Sequence, residues 1–95
     1  MEFIRVLGHS IKTLYIPGKK TCVHVDAPKI KKIYLPDDVT YLEKLRNGYS
    51  KEEIAGSMLI FFDKKKNINE ITFMVHENSK THALVKAQGL KYKFY

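Results

Sequence analysis

Residues 58–75 read MLIFFDKKKNINEITFMV, and this stretch decides the fold that the sequence predicts. Its first five residues are a continuous apolar run of strand length, which is typical of a strand in the centre of a sheet. A polar turn follows, and beyond it Ile71, Phe73 and Val75 alternate with their neighbours, so they share one face of a second strand. The pattern therefore predicts a β-hairpin. Its two strands are 58–62 and 68–75.

The segments that precede this hairpin also have strand character. Pro17-Gly18-Lys19-Lys20 is a strong turn signal between two strand-like segments, and it predicts a second hairpin. On the return strand, Val23 and Val25 lie on one face with Thr21. A break at Ala27-Pro28 separates this strand from the next. The predicted strands of this region are 3–7, 11–16, 21–26 and 30–35.

Two short helices are predicted between these strands and residue 58. Asp37 and Asp38 follow a proline, where negative charge favours a helix N-terminus, and Asn47-Gly48 is a typical helix end. Ser50 opens a capping-box pattern, SKEE, that predicts the start of a second helix. Gly56 limits the length of that helix.

The last part of the chain predicts a third helix followed by a strand. Ser79 is a suitable N-cap, Ala83, Leu84 and Ala87 form the expected inward face, and Gly89 is a suitable C-terminal cap. The competing interpretation makes 82–87 a strand instead. Residues 90–95 alternate as a strand, with Leu90, Tyr92 and Phe94 on one face and Lys91, Lys93 and Tyr95 on the other.

These elements predict one α+β domain over residues 1–95, because domains of this size form a single hydrophobic core. We expect an antiparallel-rich mixed sheet with two or three short helices on one face. No internal repeat is evident at the level of the sequence. No signal peptide is recognised and no apolar run approaches the length of a membrane span, so neither secretion nor a membrane partner is expected.

The charge balance is the strongest global signal about partners. The chain holds 17 basic residues against 10 acidic ones, for a net charge of +7. This balance favours polyanions or an acidic protein surface as partners, although lysine also solubilises small domains. All the basic residues are lysines except Arg5 and Arg46. Lysine is a mobile point charge, so we expect contacts to phosphates and little reading of bases.

The candidate nucleic-acid-binding residues are clustered lysines and one terminal tyrosine. The segment KYKFY at 91–95 interleaves lysines with aromatic rings, a combination that holds phosphates and stacks bases on exposed sheets. The alternative is that Tyr92 and Phe94 pack in the core while the lysines protect an edge strand. The full set is Lys19, Lys20, Lys64, Lys65, Lys66, Lys91, Lys93 and Tyr95.

Other chemistry has little support in the sequence. The histidines have no tight ligand spacing and only one cysteine is present, so no metal site and no cofactor are expected. Cys22 and His24 share a strand face, but a lone cysteine is more often a packed residue than a nucleophile. With one cysteine the chain has no internal disulfide, which favours the reducing cytoplasm. Residues 17–21, PGKKT, lack the spacing of a phosphate-binding loop.

The sequence leads to a small, basic, non-enzymatic protein that contacts the nucleic-acid backbone through lysines. One alternative is an inhibitor or regulator, of viral or mobile-element origin, that docks on an acidic protein. Another is a metal-independent ribonuclease of the toxin type, in which histidines would act as acid and base beside a charge clamp. The residues available for that chemistry are His76, His82, Lys80 and Tyr95. The sequence assigns neither a catalytic residue nor an oligomeric state.

Overall fold

The computed structural model describes residues 2–18, 21–44, 58–63 and 65–95. Eight strands, one turn of 3-10 helix and one α-helix are formed by these residues. The strands are β1 Glu2–Leu7, β2 Thr13–Tyr15, β3 Thr21–Asp26, β4 Lys32–Tyr34, β5 Tyr41–Lys44, β6 Leu59–Phe62, β7 Thr72–Val75 and β8 Lys91–Phe94. The 3-10 turn is Ile68–Glu70 and the helix, α1, is Lys80–Ala87.

The strands form two four-stranded sheets in which every recorded pairing is parallel. Sheet A has the order β1-β3-β6-β5, and sheet B has the order β2-β4-β7-β8. From β1 to β4 the chain alternates between the sheets, so consecutive turns of the chain stack as in a flattened solenoid. Strand β5 is out of sequence order, because it precedes β6 in the chain but lies outside it in sheet A.

The hydrophobic core lies between the two sheets. Side chains alternate along each strand, so every second residue of a strand points into this space. Sheet A contributes Val23, Val25 and Phe62, and sheet B contributes Ile33 and Phe73, all buried. The rings of Phe62 and Phe73 meet edge to face, with centroids 6.1 Å apart. This packing joins the two sheets.

Part of the other face of sheet A is apolar as well. Cys22, Leu59 and Phe61 are buried there in a second cluster, with Tyr41 packed against it. They alternate with the core residues of the same strands. Burial on both faces is common for parallel strands, and it explains why 58–62 is a continuous apolar run.

The expected antiparallel-rich sheet is wrong. The strand positions agree with the prediction to within one to three residues at most ends, but both predicted hairpins are absent. In place of the first hairpin, β2 pairs with β4, and β3 pairs with β1 and β6. In place of the second, β6 pairs with β3 and β5, and β7 pairs with β4 and β8. Alternation of apolar residues occurs in both parallel and antiparallel strands and does not assign a direction, whereas the continuous apolar run 58–62 is typical of a parallel strand buried on both faces. The turns after β2 and β6 lead the chain into the opposite sheet.

The expectation of no internal repeat is wrong, because two similar segments occupy neighbouring strands of sheet B. Residues 11–17 read IKTLYIP and residues 30–36 read IKKIYLP. In sheet B the first strand of this pair lies beside the second, with Thr13 opposite Lys32, nineteen positions later. Equivalent side chains therefore stack on one another from turn to turn.

The expectation of two or three helices is also wrong for the described part of the chain, which contains only α1. Where a helix was predicted to start at Asp37, a turn leads into strand β5. Leu42 is buried in the core from that strand, so pairing with β6 outweighs the weak helix signals. The helix predicted to begin at Ser50 lies outside the described residues.

The third predicted helix is confirmed. Ser79 accepts a hydrogen bond from the backbone N–H of His82 at 3.0 Å, and Gly89 has a positive φ of 69° just after the helix. The inward face differs from the predicted one. Thr81 and Val85 are buried, whereas Ala83 and Ala87 are exposed.

Candidate nucleic-acid interface

Two tyrosines from successive turns of the chain stack on the outer face of sheet B. Tyr15 of β2 lies opposite Tyr34 of β4 in the strand register, while Leu14 and Ile33 point inward beside them. The two rings are 4.2 Å apart between centroids and within 10° of parallel. We call this pair the tyrosine stack. Its outer ring, Tyr15, is 69% exposed.

Tyr95 extends this aromatic surface. Its ring meets Tyr34 edge to face at 5.0 Å, and its hydroxyl donates a hydrogen bond of 2.8 Å to the carbonyl oxygen of Leu35. The ring of His76 lies 4.1 Å from it on another side. These contacts fix the Tyr95 ring although about half of the residue, 49%, is exposed.

The surroundings of Tyr95 and Tyr15 raise the pKa of both hydroxyls. Burial raises the pKa of Tyr95, and the nearby Asp37 and Tyr34 raise it further. A hydrogen bond with Tyr34 raises the pKa of Tyr15, whereas the positive charge of Lys32 opposes that effect.

Three exposed lysines share this outer face. Lys32 lies on β4, and Lys91 and Lys93 lie on β8. Thr72 of β7 lies between Lys32 and Lys91 in the strand register. The outer face of sheet B thus combines aromatic rings with positive charge, as the alternation of residues 90–95 predicts for its last strand.

A second basic feature is formed by the segments that precede strands β2, β4 and β7 of sheet B. Four lysines and one acidic residue, Glu70, line a groove of about 600 Å³. The Lys66 ammonium donates a hydrogen bond to the carbonyl oxygen of Pro28 at 3.0 Å. We call this feature the lysine groove. Its lysines are Lys12, Lys29, Lys31 and Lys66.

Backbone hydrogen bonds place the lysine groove next to the outer face of sheet B. The carbonyl oxygen of Lys12 accepts hydrogen bonds from the N–H groups of both Lys31 and Lys32, at 2.9 and 3.1 Å. Lys31 lines the groove, and Lys32, the next residue, carries its charge on the sheet face. The two basic features therefore adjoin.

The structure brings only some of the sequence-predicted residues together. Lys91, Lys93 and Tyr95 follow one another along the end of sheet B, and Lys66 lines the lysine groove. Lys65 is exposed in the turn after β6. Lys19, Lys20 and Lys64 lie outside the described residues.

Sequence reasoning missed more than half of this surface, because the fold brings together segments that are far apart in the chain. The residues that were not among the candidates are Tyr15, Tyr34, Lys12, Lys29, Lys31 and Lys32. The shared pattern of IKTLYIP and IKKIYLP is the signal that could have found them. It places a lysine and a tyrosine at the same positions of successive turns.

The residues considered for a ribonuclease are held in different surroundings. His76 Nδ1 lies 2.6 Å from Asp37 Oδ1, beside Tyr95. His82 instead accepts a hydrogen bond at Nδ1 from the N–H of Asn78 and packs against the ring of Phe94.

Lys80, the remaining residue of that group, lines a separate groove of about 540 Å³ beside Asp38 and Thr40. Of the four residues considered for a ribonuclease, His76 and Tyr95 are the two that the structure shows in contact with each other.

Cys22 has the environment of a packed thiol. It is 7% exposed in the outer cluster of sheet A, and burial raises the pKa of its thiol. A raised pKa keeps the thiol protonated at neutral pH, which is unfavourable for a nucleophile. Among the described residues, no group of three or more histidine, cysteine, aspartate or glutamate side chains could hold a metal ion.

Comparisons with known proteins leave the function open. The chain matches no family model, no curated protein and no solved structure. In the described ranges, no helix has the length and apolar character needed to cross a membrane. A functional assignment therefore depends on the chemistry of the surface.

Proposed function

We propose that this protein is a non-enzymatic nucleic-acid-binding protein that contacts phosphates through lysines. The observation that carries the proposal is the outer face of sheet B, where Lys32, Lys91 and Lys93 accompany exposed tyrosines. Lysine ammonium groups bind phosphates as point charges, and proteins that bind nucleic acids without strong sequence preference combine such charges with aromatic rings.

The lysine groove supports the same proposal. Four lysines line it against a single carboxylate, so its local charge is positive. Lysine side chains on the adjoining sheet face extend this charge, and the chain as a whole has a net charge of +7. Long-range attraction of a polyanion is the expected result. The free, buried Cys22 is compatible with a reducing compartment, and we place the activity in the cytoplasm.

Salt dependence tests the proposal directly. Affinity for duplex DNA should fall linearly with the logarithm of salt concentration, with a slope of about −0.9 per contacted phosphate. The double variant Lys32→Ala/Lys93→Ala should flatten that slope by about one to two units if both lysines contact phosphates. Fluorescence anisotropy with a labelled oligonucleotide measures both quantities.

A matched control separates local contact from net charge. Lys44→Ala/Lys86→Ala removes the same charge from exposed positions on β5 and α1. We expect this control to keep the wild-type slope. Equal effects of the two double variants would contradict a local interface, and a wild type without salt-sensitive binding would refute nucleic-acid binding.

The two alternative functions predict other results. An inhibitor or regulator that docks on an acidic protein would form a stoichiometric protein complex and would not bind free oligonucleotides. A ribonuclease would cleave RNA in the presence of a chelator. His76→Ala would then abolish cleavage, because His76 is paired with the carboxylate of Asp37.

A further inference from the structure

We propose that the ligand is single-stranded, and that the exposed ring of Tyr15 is the surface on which an unpaired base stacks. This inference rests on the proposed function and specifies the form of nucleic acid. It starts from the position of β2, which is the edge strand of sheet B. Tyr15 therefore has the ring of Tyr34 on one side, and the part of the chain that the structure describes adds no further strand of sheet B on the other.

The geometry of the tyrosine stack suits a third ring. Tyr15 and Tyr34 are nearly parallel, so a base placed on the free face of Tyr15 would continue an existing stack. Tyr15 is the most exposed of the large hydrophobic side chains in the described chain. A flat, exposed aromatic ring on a sheet surface is the feature that single-strand-binding proteins use for base stacking.

The stack is held in position before a ligand arrives. Tyr34 contacts Tyr95 edge to face, and the Tyr95 hydroxyl is anchored on the carbonyl oxygen of Leu35. Because Tyr95 holds the inner ring and the outer ring is already stacked on it, less conformational entropy is lost when a base adds to Tyr15. Preorganisation of this kind increases affinity.

Positive charge near the Tyr15 ring can bind the phosphate of a nucleotide whose base stacks there. Lys32 lies two residues before Tyr34 on β4, so both side chains are on the outer face of sheet B, and it follows Lys31 of the lysine groove in the chain. A nucleotide whose base lies on Tyr15 would therefore find an ammonium group beside it. The sheet face and the groove together offer base contacts and phosphate contacts side by side.

The same geometry disfavours a duplex. In double-stranded DNA both faces of each internal base are covered by neighbouring base pairs, so an exposed ring can reach only a terminal pair. Single strands expose their base faces, and aromatic residues bind them with little dependence on sequence. Both single-stranded DNA and single-stranded RNA offer such exposed bases, so the proposal covers both.

The test compares three probes of equal length: oligothymidylate, the same backbone without bases, and a blunt duplex. We expect the protein to bind oligothymidylate about tenfold or more tightly than the abasic strand. Tyr15→Ala should remove this difference, whereas Tyr15→Phe should retain it because the ring is preserved. Affinity for the abasic strand should be the same in all three proteins. Oligouridylate in the same assay distinguishes RNA from DNA as the source of the bases.

Leu7→Ala is a matched control, because Leu7 is also an exposed apolar residue on an edge strand, but of sheet A. It should leave all affinities unchanged. A melting temperature for Tyr15→Ala close to that of Tyr15→Phe shows that the stack is lost without loss of the fold.

The outcomes separate the two proposals. Equal, salt-sensitive binding of normal and abasic strands would overturn base stacking and leave phosphate binding intact. Tighter binding of the duplex than of the single strand would also overturn it. No binding to any probe would overturn the proposed function itself.

Discussion

The hydroxyl of Thr81 donates a hydrogen bond to the carbonyl oxygen of Pro36 at 2.5 Å, although the two residues lie forty-five positions apart in the chain. The same hydroxyl accepts a hydrogen bond from the N–H of Val39 at 3.0 Å. One buried side chain thus satisfies two backbone groups of the turn between β4 and β5. It fastens helix α1 to that turn.

Thr81→Val should therefore destabilise the fold more than its small change of shape suggests. The valine removes both hydrogen bonds and leaves a buried N–H and a buried carbonyl without this partner, at a cost of about 2–4 kcal/mol. Thr81→Ser keeps the hydroxyl and should cost about 1 kcal/mol for the lost methyl group. Urea denaturation followed by circular dichroism measures both. Equal losses would show that the hydroxyl contributes little.

The N-cap of α1 gives a second stability prediction. Ser79→Ala removes the hydrogen bond that the side chain accepts from His82 and should cost about 1 kcal/mol. Ser79→Asp keeps an acceptor and adds favourable charge, so it serves as the control.

The capping box predicted at Ser50 gives Ser50→Ala the same expected cost. No measurable change in Ser50→Ala would remove that second helix from the prediction.

Cys22 should be structural and unreactive. Cys22→Ser places a hydroxyl among Leu59 and Phe61 and should lower the free energy of unfolding by about 1–3 kcal/mol. Cys22→Ala, which buries no polar atom, should cost less than the serine variant. Nucleic-acid affinity should be unchanged in both. Loss of binding in a normally folded variant would assign Cys22 a role in function.

The lysine cluster after β6 should contribute to the salt dependence of binding. Replacing Lys64, Lys65 and Lys66 together by alanine should flatten the salt slope by about two to three units on duplex DNA and leave sequence preference unchanged. The lysine groove also loses Lys66 in this variant. A triple control, Lys44→Ala/Lys80→Ala/Lys86→Ala, removes equal charge elsewhere. Similar slopes in the two triple variants would exclude a phosphate contact at 64–66.

Ionisation of Tyr95 should report the charge of Asp37. Because a nearby carboxylate disfavours the phenolate, Asp37→Asn should move the raised pKa of Tyr95 down towards the ordinary value near 10. Tyr95 therefore stabilises the native state fully below its unfolded pKa, and this contribution is lost as the pH rises through the folded pKa. Alkaline titration by 13C NMR of labelled tyrosines follows the shift. Asp38→Asn is the control and should leave Tyr95 unchanged.

The sequence was sufficient to locate strands but not to pair them. The alternation of Val23, Val25 and of Phe73, Val75 indicates strands correctly, because one face of each enters the core. Strand direction depends on where each turn leads the chain, and that depends on packing between residues far apart. The Ser79 helix was predicted because its caps are local. The helix predicted from Asp37 failed because Leu42 is buried in a strand that pairs with β6, a partner beyond the reach of local signals.

In the candidate site, too, the sequence indicates the residues that share one strand but not those that meet across two strands. Lys91, Lys93 and Tyr95 share a face by simple alternation within one strand, so the sequence indicates them. The tyrosine stack requires the parallel register of two strands, Tyr15 opposite Tyr34, and that register is a property of the folded chain. Comparison of the two similar segments that contain these tyrosines would have suggested it.

The position of β5 outside β6 has a consequence for how the protein is made. A ribosome releases Tyr41–Lys44 before Leu59–Phe62, yet sheet A needs the later segment between β3 and the earlier one. While the nascent chain is incomplete, β3 presents an open edge, and β5 is the next strand of sheet A to emerge beside it. Direct pairing of β3 with β5 would then have to be undone before β6 could enter. Sheet A is therefore completed only after β6 has emerged, and its long-range pairings favour slow folding.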